Sequence, residues 1–248
     1  MLWIKESPFK DFRFIMVIIR SLPDFLNRLP RARYALRHPE KYTREQNFAR
    51  ACEIMDTMRK RARTTTYVYG KENIPQDETV VFYSNHQGKY DALGIIPAMD
   101  TPCSVLWEKE AASRLLGREV CALIEGVKID LTDLKEKVRA ILQTIDKIKK
   151  GHNMLIFPEG GYSENGNTLQ EFKTGCFDCS IKTKTTIVPI TIYDSYKSMN
   201  GCKPGKVKTQ VHFLSAIPYE EYKDLTKQEL CDLVKSRIAQ KLAEIENR

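Results

Sequence analysis

The sequence of 248 residues has no long apolar segment near its N-terminus, where the longest unbroken run, Phe14 to Ile19, contains six residues. A membrane-spanning helix needs roughly 20 such residues. The run is also short for the core of a secretory signal peptide, and no small-residue cleavage site follows it. We therefore expect a protein that does not cross a membrane and carries no cleaved leader.

Residues typical of metal sites and covalent catalysis are also scarce. The chain has 4 His and 7 Cys, and Cys176-x-x-Cys179 is a lone pair without the second pair that a zinc site requires. No G-x-S-x-G nucleophile elbow occurs. We expect no metal, no cofactor and a reducing compartment. Any general base of this chain would act on a hydroxyl group from outside.

Positive charge, in contrast, is concentrated in one part of the chain. Residues 1–64 hold 15 Lys/Arg and 7 Asp/Glu, whereas residues 65–248 hold 25 of each. Hydrophobic residues make up 42% of the chain, which suits a folded core. We divide the sequence into an N-terminal helical segment, 1–64, that associates with a membrane, and an α/β domain, 65–248.

The N-terminal segment combines apolar and aromatic side chains with interspersed cations. Residues 1–30 suit a basic amphipathic helix at the membrane interface. The alternative is a helix packed on the protein's own core, with its cations in solvent. Apolar positions at helical spacing predict a second helix at residues 44–62. No nucleic-acid-binding motif accompanies the basic residues, so we expect no nucleic-acid partner. The apolar and basic residues of 1–30 are Leu2, Trp3, Ile4, Lys5, Phe9, Lys10, Phe12, Arg13, Phe14, Ile15, Met16, Val17, Ile18, Ile19, Arg20, Leu22, Phe25, Leu26, Arg28 and Leu29.

Strand and helix patterns alternate from residue 64 onward, which predicts an α/β architecture with a mixed sheet flanked by helices. Strands are predicted at 65–69, 79–84, 103–107, 153–157, 186–191 and 209–214, with one or two more within 120–129. Residues 109–116, 132–150 and a segment beginning at Thr226 have helical patterns. In the 132–150 helix, one apolar face is predicted, formed by Leu134, Val138, Ile141, Leu142, Ile145 and Ile148.

The segment Val80 to Ala92 is typical of a strand that ends in a polar loop. His86 follows the apolar strand, and Asp91 begins the next apolar segment, as a capping or first-turn carboxylate would. This spacing allows Asp91 to contact one imidazole nitrogen while the other faces a cleft. A neutral imidazole oriented by a carboxylate is a suitable general base. The alternative is a capped helix with a histidine that merely satisfies a hydrogen bond.

A second polar loop follows the strand at 153–157. Glu159, Gly160 and Gly161 come directly after it, and ligands of open α/β sheets bind where strands end. The two glycines allow backbone amides to approach a ligand. Glu159 could accept a hydrogen bond from a substrate hydroxyl or hold a basic partner. A plain strand-to-loop turn is the alternative.

Four sequence blocks, taken together, resemble the glycerolipid acyltransferase family that includes 1-acylglycerol-3-phosphate acyltransferases. The resemblance spans about residues 65–215 and implies the glycerol-3-phosphate acyltransferase-like fold. It also implies that His86 is the catalytic base, that Asp91 orients it, and that a second set of residues binds substrate. That set is Asn85, Glu159, Gly160, Gly161 and Lys173. The blocks are Asn85-His86-x-x-x-x-Asp91, Phe157-Pro158-Glu159-Gly160, Phe172-Lys173-x-Gly175 and Val188-Pro189-Ile190.

The resemblance implies transfer of a fatty acyl chain from an acyl-carrier protein or coenzyme A thioester to a lysophospholipid at the cytoplasmic face of a membrane, where the protein would be peripheral. In phospholipid biosynthesis, 1-acylglycerol-3-phosphate would give phosphatidic acid. Two positions depart from the family pattern, because Leu131 and Tyr162 stand where phosphate-binding arginines are common. Lysines such as Lys128 and Lys173 could replace them, or the acceptor lacks phosphate. The same residues would also suit a non-catalytic lipid-binding protein of this fold, or a hydrolase that acts on water.

Overall fold

The computed structural model describes residues 12–201 and 205–247, and these residues form a seven-stranded sheet. The strand order is β1-β7-β6-β2-β5-β3-β4. The predicted mixed sheet is confirmed. The strands are β1 (Thr64–Tyr69), β2 (Val80–Ser84), β3 (Cys103–Glu108), β4 (Val127–Ile129), β5 (Asn153–Ile156), β6 (Thr186–Tyr193) and β7 (Val207–Phe213).

The direction of the strands decides where the polar loops meet. Strands β6, β2, β5, β3 and β4 are mutually parallel. β7 runs antiparallel to β6, and β1 is parallel to β7, with Thr64 opposite Val207. Because β2 and β5 are adjacent and parallel, the loops that follow them leave the same edge of the sheet. That edge is called the carboxyl edge below.

Helices cover both faces of the sheet. One face carries α1 to α4, whose side chains share a core with Phe82 and Val188, and the other carries α5, α6 and α9, which pack on Val81 and Tyr83. Coverage on both sides explains why every residue of β2 is buried. The helices are α1 (Phe12–Arg37), α2 (Arg44–Arg61), α3 (Asp91–Ile95), α4 (Gly117–Leu123), α5 (Leu134–Lys149), α6 (Asp178–Thr183), α7 (Tyr196–Met199), α8 (Tyr219–Tyr222) and α9 (Lys227–Glu246).

Two sequence predictions in the middle of the chain are wrong. The first part of residues 120–129, predicted to be extended, belongs to α4, and only β4 is a strand. Glu119 explains the helix, because its buried carboxylate accepts the backbone N–H of Leu116 and pairs with Arg33 and Arg118. The predicted helix at 109–116 is reduced to a single 3-10 turn, Ala111–Ser113.

The predicted helix at 132–150 is confirmed as α5, but its apolar face is only half covered. Ile145 and Ile148 are buried against the sheet. Leu134, Val138 and Leu142 are instead 74%, 53% and 54% exposed. The reason is geometric. Leu134, Val138 and Leu142 recur at every fourth position, so they form one exposed stripe of α5 beside the buried stripe that contains Ile145 and Ile148.

The described part of the N-terminal quarter, from residue 12, is largely helical and packs on the sheet, and the predicted second helix is confirmed as α2. In α1, Val17 and Phe25 are buried in the same core as Phe82. The other side of α1 is apolar but exposed, at Ile15, Ile19, Leu22 and Leu26. The part of the predicted interfacial helix at residues 1–11 lies outside the described residues. Among the described helices, none is long and apolar enough to cross a membrane.

The half-covered face of α5 can be tested with a matched pair of substitutions. Ile145→Ala removes a buried side chain and should cost about 2–5 kcal/mol of unfolding free energy. Leu142→Ala removes an exposed one on the same helix and should change it by no more than about 0.5 kcal/mol. Urea denaturation of both variants measures the difference. Equal losses would place Leu142 in the core and contradict the structure.

Candidate active site

The structure brings His86 and Asp91 into direct contact at the carboxyl edge. The imidazole Nδ1 lies 2.6 Å from Asp91 Oδ2. Asp91 is the first residue of α3, so it occupies the first turn, as its sequence position predicted. The Asp91 side chain is fully buried, whereas the His86 side chain is 19% exposed. The imidazole can therefore reach a ligand, and the carboxylate cannot.

Asp91 is held by several donors besides the imidazole. Its Oδ2 accepts the backbone N–H groups of Gln87 (2.5 Å) and Gly88 (2.9 Å), and its Oδ1 accepts the hydroxyl of Ser195 (2.5 Å). An ionised carboxylate can only accept hydrogen bonds, so Nδ1 of His86 must carry the proton. The lone pair of Nε2 then remains available to take a proton from a bound hydroxyl.

Two aromatic rings hold the imidazole of His86 in place. The ring of Phe157, the residue after β5, stacks on it with centroids 4.4 Å apart. Tyr162 meets it edge-on at 5.0 Å. Rings at these separations prefer such stacked and edge-to-face arrangements. The loop after β5 thus limits the rotation of the histidine that follows β2.

Glu159 also serves His86, but through the backbone. Its Oε1 accepts the N–H of His86 at 3.0 Å, and its Oε2 accepts the side-chain amide of Gln170 at 2.5 Å. The carboxylate is buried, and this burial raises its pKa, although hydrogen bonds from His86 and Gln170 oppose the shift. Both oxygens are occupied within the protein. The substrate contact expected of Glu159 stays a prediction, and the structure shows a positioning residue.

The glycines after Glu159 open the loop at its exposed side. Gly160 has φ +74°, a left-handed conformation that favours glycine. A side chain added at Gly161 would meet no atom within 4 Å. Lys173 is exposed and lies beside Gly160, and its backbone N–H donates to the carbonyl of Pro158 at 2.7 Å. The substrate-binding roles predicted for Gly160, Gly161 and Lys173 remain predictions.

The side chain of Asn85 faces the protein interior. Its amide is buried and exchanges two hydrogen bonds with the backbone of Ile192, at 3.0 and 2.8 Å. These bonds fasten the start of the His86 loop to β6. The structure therefore gives Asn85 a positioning task, where the sequence pointed to a substrate contact.

Three further positioning residues were missed from sequence. Gln87 donates to Asn167 and to the carbonyl of Ile192, and its Oε1 accepts the N–H of Ser195. The signal for Gln87 was its place between His86 and Asp91. Ser195 and Asn167 carry no such signal, because they are distant in sequence: Ser195 follows β6, and Asn167 lies in the long loop between β5 and α6.

One cation, Lys89, lies near the aromatic ring that contacts His86. The Lys89 ammonium lies 5.7 Å from the ring centroid of Tyr162, the same ring that contacts His86. Lys128 is exposed on β4, and Leu131 follows that strand. Within residues 12–201 and 205–247, no group of three or more His, Cys, Asp or Glu side chains is arranged to hold a metal ion.

The buried carboxylate of Glu159 predicts a specific pH dependence of stability. Its raised pKa means that folding favours the protonated form, so the stability it contributes is present at low pH and lost as pH rises through the folded-state value. Glu159→Gln removes this titration. The unfolding free energy of the natural chain, minus that of the variant, should therefore fall as the pH rises from the ordinary carboxyl value of 4.5 toward neutrality.

Chemical denaturation across that pH range measures this difference. The surface substitution Glu72→Gln supplies the background dependence of an exposed carboxylate. A difference that rose with pH would contradict the burial of an ionisable Glu159.

Several known proteins are similar to this chain in sequence. The 1-acyl-sn-glycerol-3-phosphate acyltransferase of Borreliella burgdorferi is 26% identical over 181 residues, which cover 72% of this chain and 72% of that protein. The chloroplastic protein BAT2 of Brassica napus, of the same name, is 27% identical over 180 residues, 71% of this chain. The human alpha form is 28% identical over 160 residues, 62% of this chain. The matches span about half the length of the last two relatives, 51% and 55%.

A solved structure and a family model complete the comparison. The crystal structure of the 1-acyl-sn-glycerophosphate acyltransferase PlsC from Thermotoga maritima superposes with a TM-score of 0.75 at 20% identity, covering 96% of this chain and 95% of that one. It shows that the fold is shared. The family model described as Acyltransferase matches residues 65–193, which include His86, Asp91 and Glu159. This chain therefore belongs to the acyltransferase family.

Proposed function

We propose that this acyltransferase moves a fatty acyl chain from an acyl thioester, of acyl-carrier protein or coenzyme A, to the free hydroxyl of 1-acylglycerol-3-phosphate, giving phosphatidic acid. The observation that carries the proposal is the bond between His86 Nδ1 and the buried Asp91, which leaves Nε2 of a partly exposed imidazole without that carboxylate. The names of the relatives support the acceptor. The reaction belongs to phospholipid biosynthesis.

The chemistry follows from the state of the imidazole. Nε2 of His86 takes the proton of the acceptor hydroxyl as its oxygen attacks the thioester carbonyl. Asp91 stays ionised and stabilises the imidazolium that forms. Collapse of the tetrahedral intermediate breaks the C–S bond, and the imidazolium returns the proton to the departing thiolate. Because a thioester is an activated acyl donor, this sequence requires neither a metal nor a covalent acyl-enzyme.

The acceptor phosphate needs a cation near the imidazole. Tyr162 and Leu131 supply none, whereas Lys89 lies over the Tyr162 ring and Lys173 lies beside Gly160. We assign the phosphate to these two lysines, since ammonium groups bind phosphate as point charges. An acceptor without phosphate is the alternative.

The lysolipid acceptor resides in a bilayer, so the protein must work at a lipid surface. The exposed apolar side of α1, with Ile15, Ile19, Leu22 and Leu26, and the net positive charge of residues 1–64 support peripheral binding. We place the protein at the cytoplasmic face, where anionic lipids attract basic segments.

Removal of the imidazole tests the proposed base. His86→Ala should lower the rate of acyl transfer roughly 100- to 10,000-fold, the usual contribution of general-base catalysis. Binding to lipid vesicles should be unchanged. The assay uses a labelled acyl donor and identifies the lipid products. His38→Ala, at a half-exposed histidine paired with Glu40, is the control and should keep full activity. A transfer rate in purified His86→Ala close to that of the natural chain would remove His86 from this role.

A panel of acceptors tests the assignment of the phosphate. Lys89→Gln and Lys173→Gln should each raise KM for 1-acylglycerol-3-phosphate about tenfold or more, since a hydrogen bond to a charged group contributes about 1.5–3 kcal/mol. Neither should affect a lysolipid that lacks phosphate. Lys182→Gln, at an exposed residue of α6, is the control. A clear preference of the natural chain for acceptors without phosphate would overturn this choice of acceptor.

A further inference from the structure

A small cavity lies between the first turns of α1 and the corner where α2 leads into β1. Its volume is about 140 Å³, and its wall includes Arg13, Met16, Arg20 and Ala62. Arg63 follows Ala62 at the same corner. The cavity is called the arginine cavity below, and its lining residues do not include His86 or Asp91.

Arg13 is fixed in the wall of the arginine cavity. Its guanidinium is buried and donates to the carbonyls of Ala62 and Gly205, each at 2.9 Å, and to the carbonyl of Ser198. These bonds hold the charge of Arg13 at the wall. Arg20 lines the same cavity, and Arg63 follows the lining residue Ala62; both side chains are exposed. Guanidinium is the preferred partner of phosphate, because its N–H groups match two phosphate oxygens at once.

The positive charge around the cavity is concentrated. Burial lowers the pKa of Arg13, and the nearby charges of Arg20 and Arg63 lower it further. Arg28 and Arg61, which are nearby in sequence, each pair with a carboxylate, whereas neither Arg20 nor Arg63 forms such an ion pair among the described residues. Like charges held together destabilise one another, and a bound anion would offset that repulsion.

The surroundings of the cavity indicate that the anion carries an apolar chain. Phe12, Ile15 and Ile19, on the adjoining surface of α1, are 39%, 51% and 52% exposed. A free inorganic anion would gain nothing from these side chains. A glycerophospholipid would bury its acyl chains against them while its headgroup faced the arginines.

We propose that the arginine cavity binds the headgroup phosphate of an anionic membrane phospholipid and thereby docks α1 on the bilayer. The inference rests on the proposed function, because that function places the protein at a lipid surface. It adds a site distinct from the one for the acceptor. The two sites come near each other along the chain at one point. Ser198, whose carbonyl accepts a hydrogen bond from Arg13, lies three residues after Ser195, whose hydroxyl donates to Asp91.

Paired charge removals test the site against general electrostatic attraction. Arg20→Gln/Arg63→Gln removes two cations at the cavity, and Arg31→Gln/Arg37→Gln removes two from the far half of α1. The full chain is sedimented with phosphatidylcholine vesicles with and without phosphatidic acid. We expect the first variant to bind the phosphatidic acid vesicles on the order of tenfold more weakly. The second should bind within about twofold of the natural chain.

Three results would overturn the proposal. Equal losses in both variants would show general attraction without a site, and no loss in either would show that the cavity does not contribute. Thermal stabilisation by inorganic phosphate that requires Arg20 and Arg63, with unchanged vesicle binding, would make the cavity a site for a soluble anion. Because Arg20 and Arg63 are exposed, thermal melts should show that both variants fold.

A separate assay distinguishes failure of this site from failure of the proposed function. With the acceptor dispersed in detergent, Arg20→Gln/Arg63→Gln should transfer acyl chains at the natural rate. His86→Ala should show the reverse, losing transfer and keeping vesicle binding. Loss of transfer by the arginine variant in detergent would place these residues in catalysis and overturn the docking role.

Discussion

The site depends on the hydrogen bonds that the buried carboxylate of Asp91 accepts. This carboxylate accepts hydrogen bonds from the imidazole of His86, from two backbone N–H groups of the same loop and from Ser195. A buried charge is tolerated only when its hydrogen bonds are satisfied. The hydrogen bonds from these four donors therefore hold the loop around Asp91 and also fix the orientation of the imidazole. Glu159 repeats this arrangement from the next strand, through the backbone of His86.

The histidine and its carboxylate could be predicted because both fall within one short loop, where strand end and helix start are visible in the sequence. Glu159 could also be predicted, because it directly follows the end of a visible strand. The direction in which its side chain points could not be predicted. A polar residue after a strand can face the cleft or bind the neighbouring loop, and only the adjacent strand decides which. Ser195 depends on β6 ending beside β2, a pairing that no local pattern encodes. Asn167 depends on the long loop after β5, which brings its side-chain oxygen to the N–H of Asp194.

The errors in the predicted fold have a similar cause. The apolar run Val120 to Ile124 is too short for periodicity to separate a strand from a helix, and the ion pairs of Glu119 with Arg33 and Arg118 decide in favour of the helix. In α5, the pattern predicted the amphipathic helix correctly. It could not show which part of the apolar face the sheet covers, and in the structure Leu142 is exposed while Ile145 is buried.

The pairing of β1 with β7 has a consequence for how the protein is made. Thr64 of β1 lies opposite Val207 of β7. β1 therefore cannot pair within the sheet until β7 has been synthesised. During translation, α1 and α2 leave the ribosome long before the strands that they cover. Two basic amphipathic helices are then exposed on an unfinished nascent chain, and a bilayer nearby would compete with the core for their apolar sides.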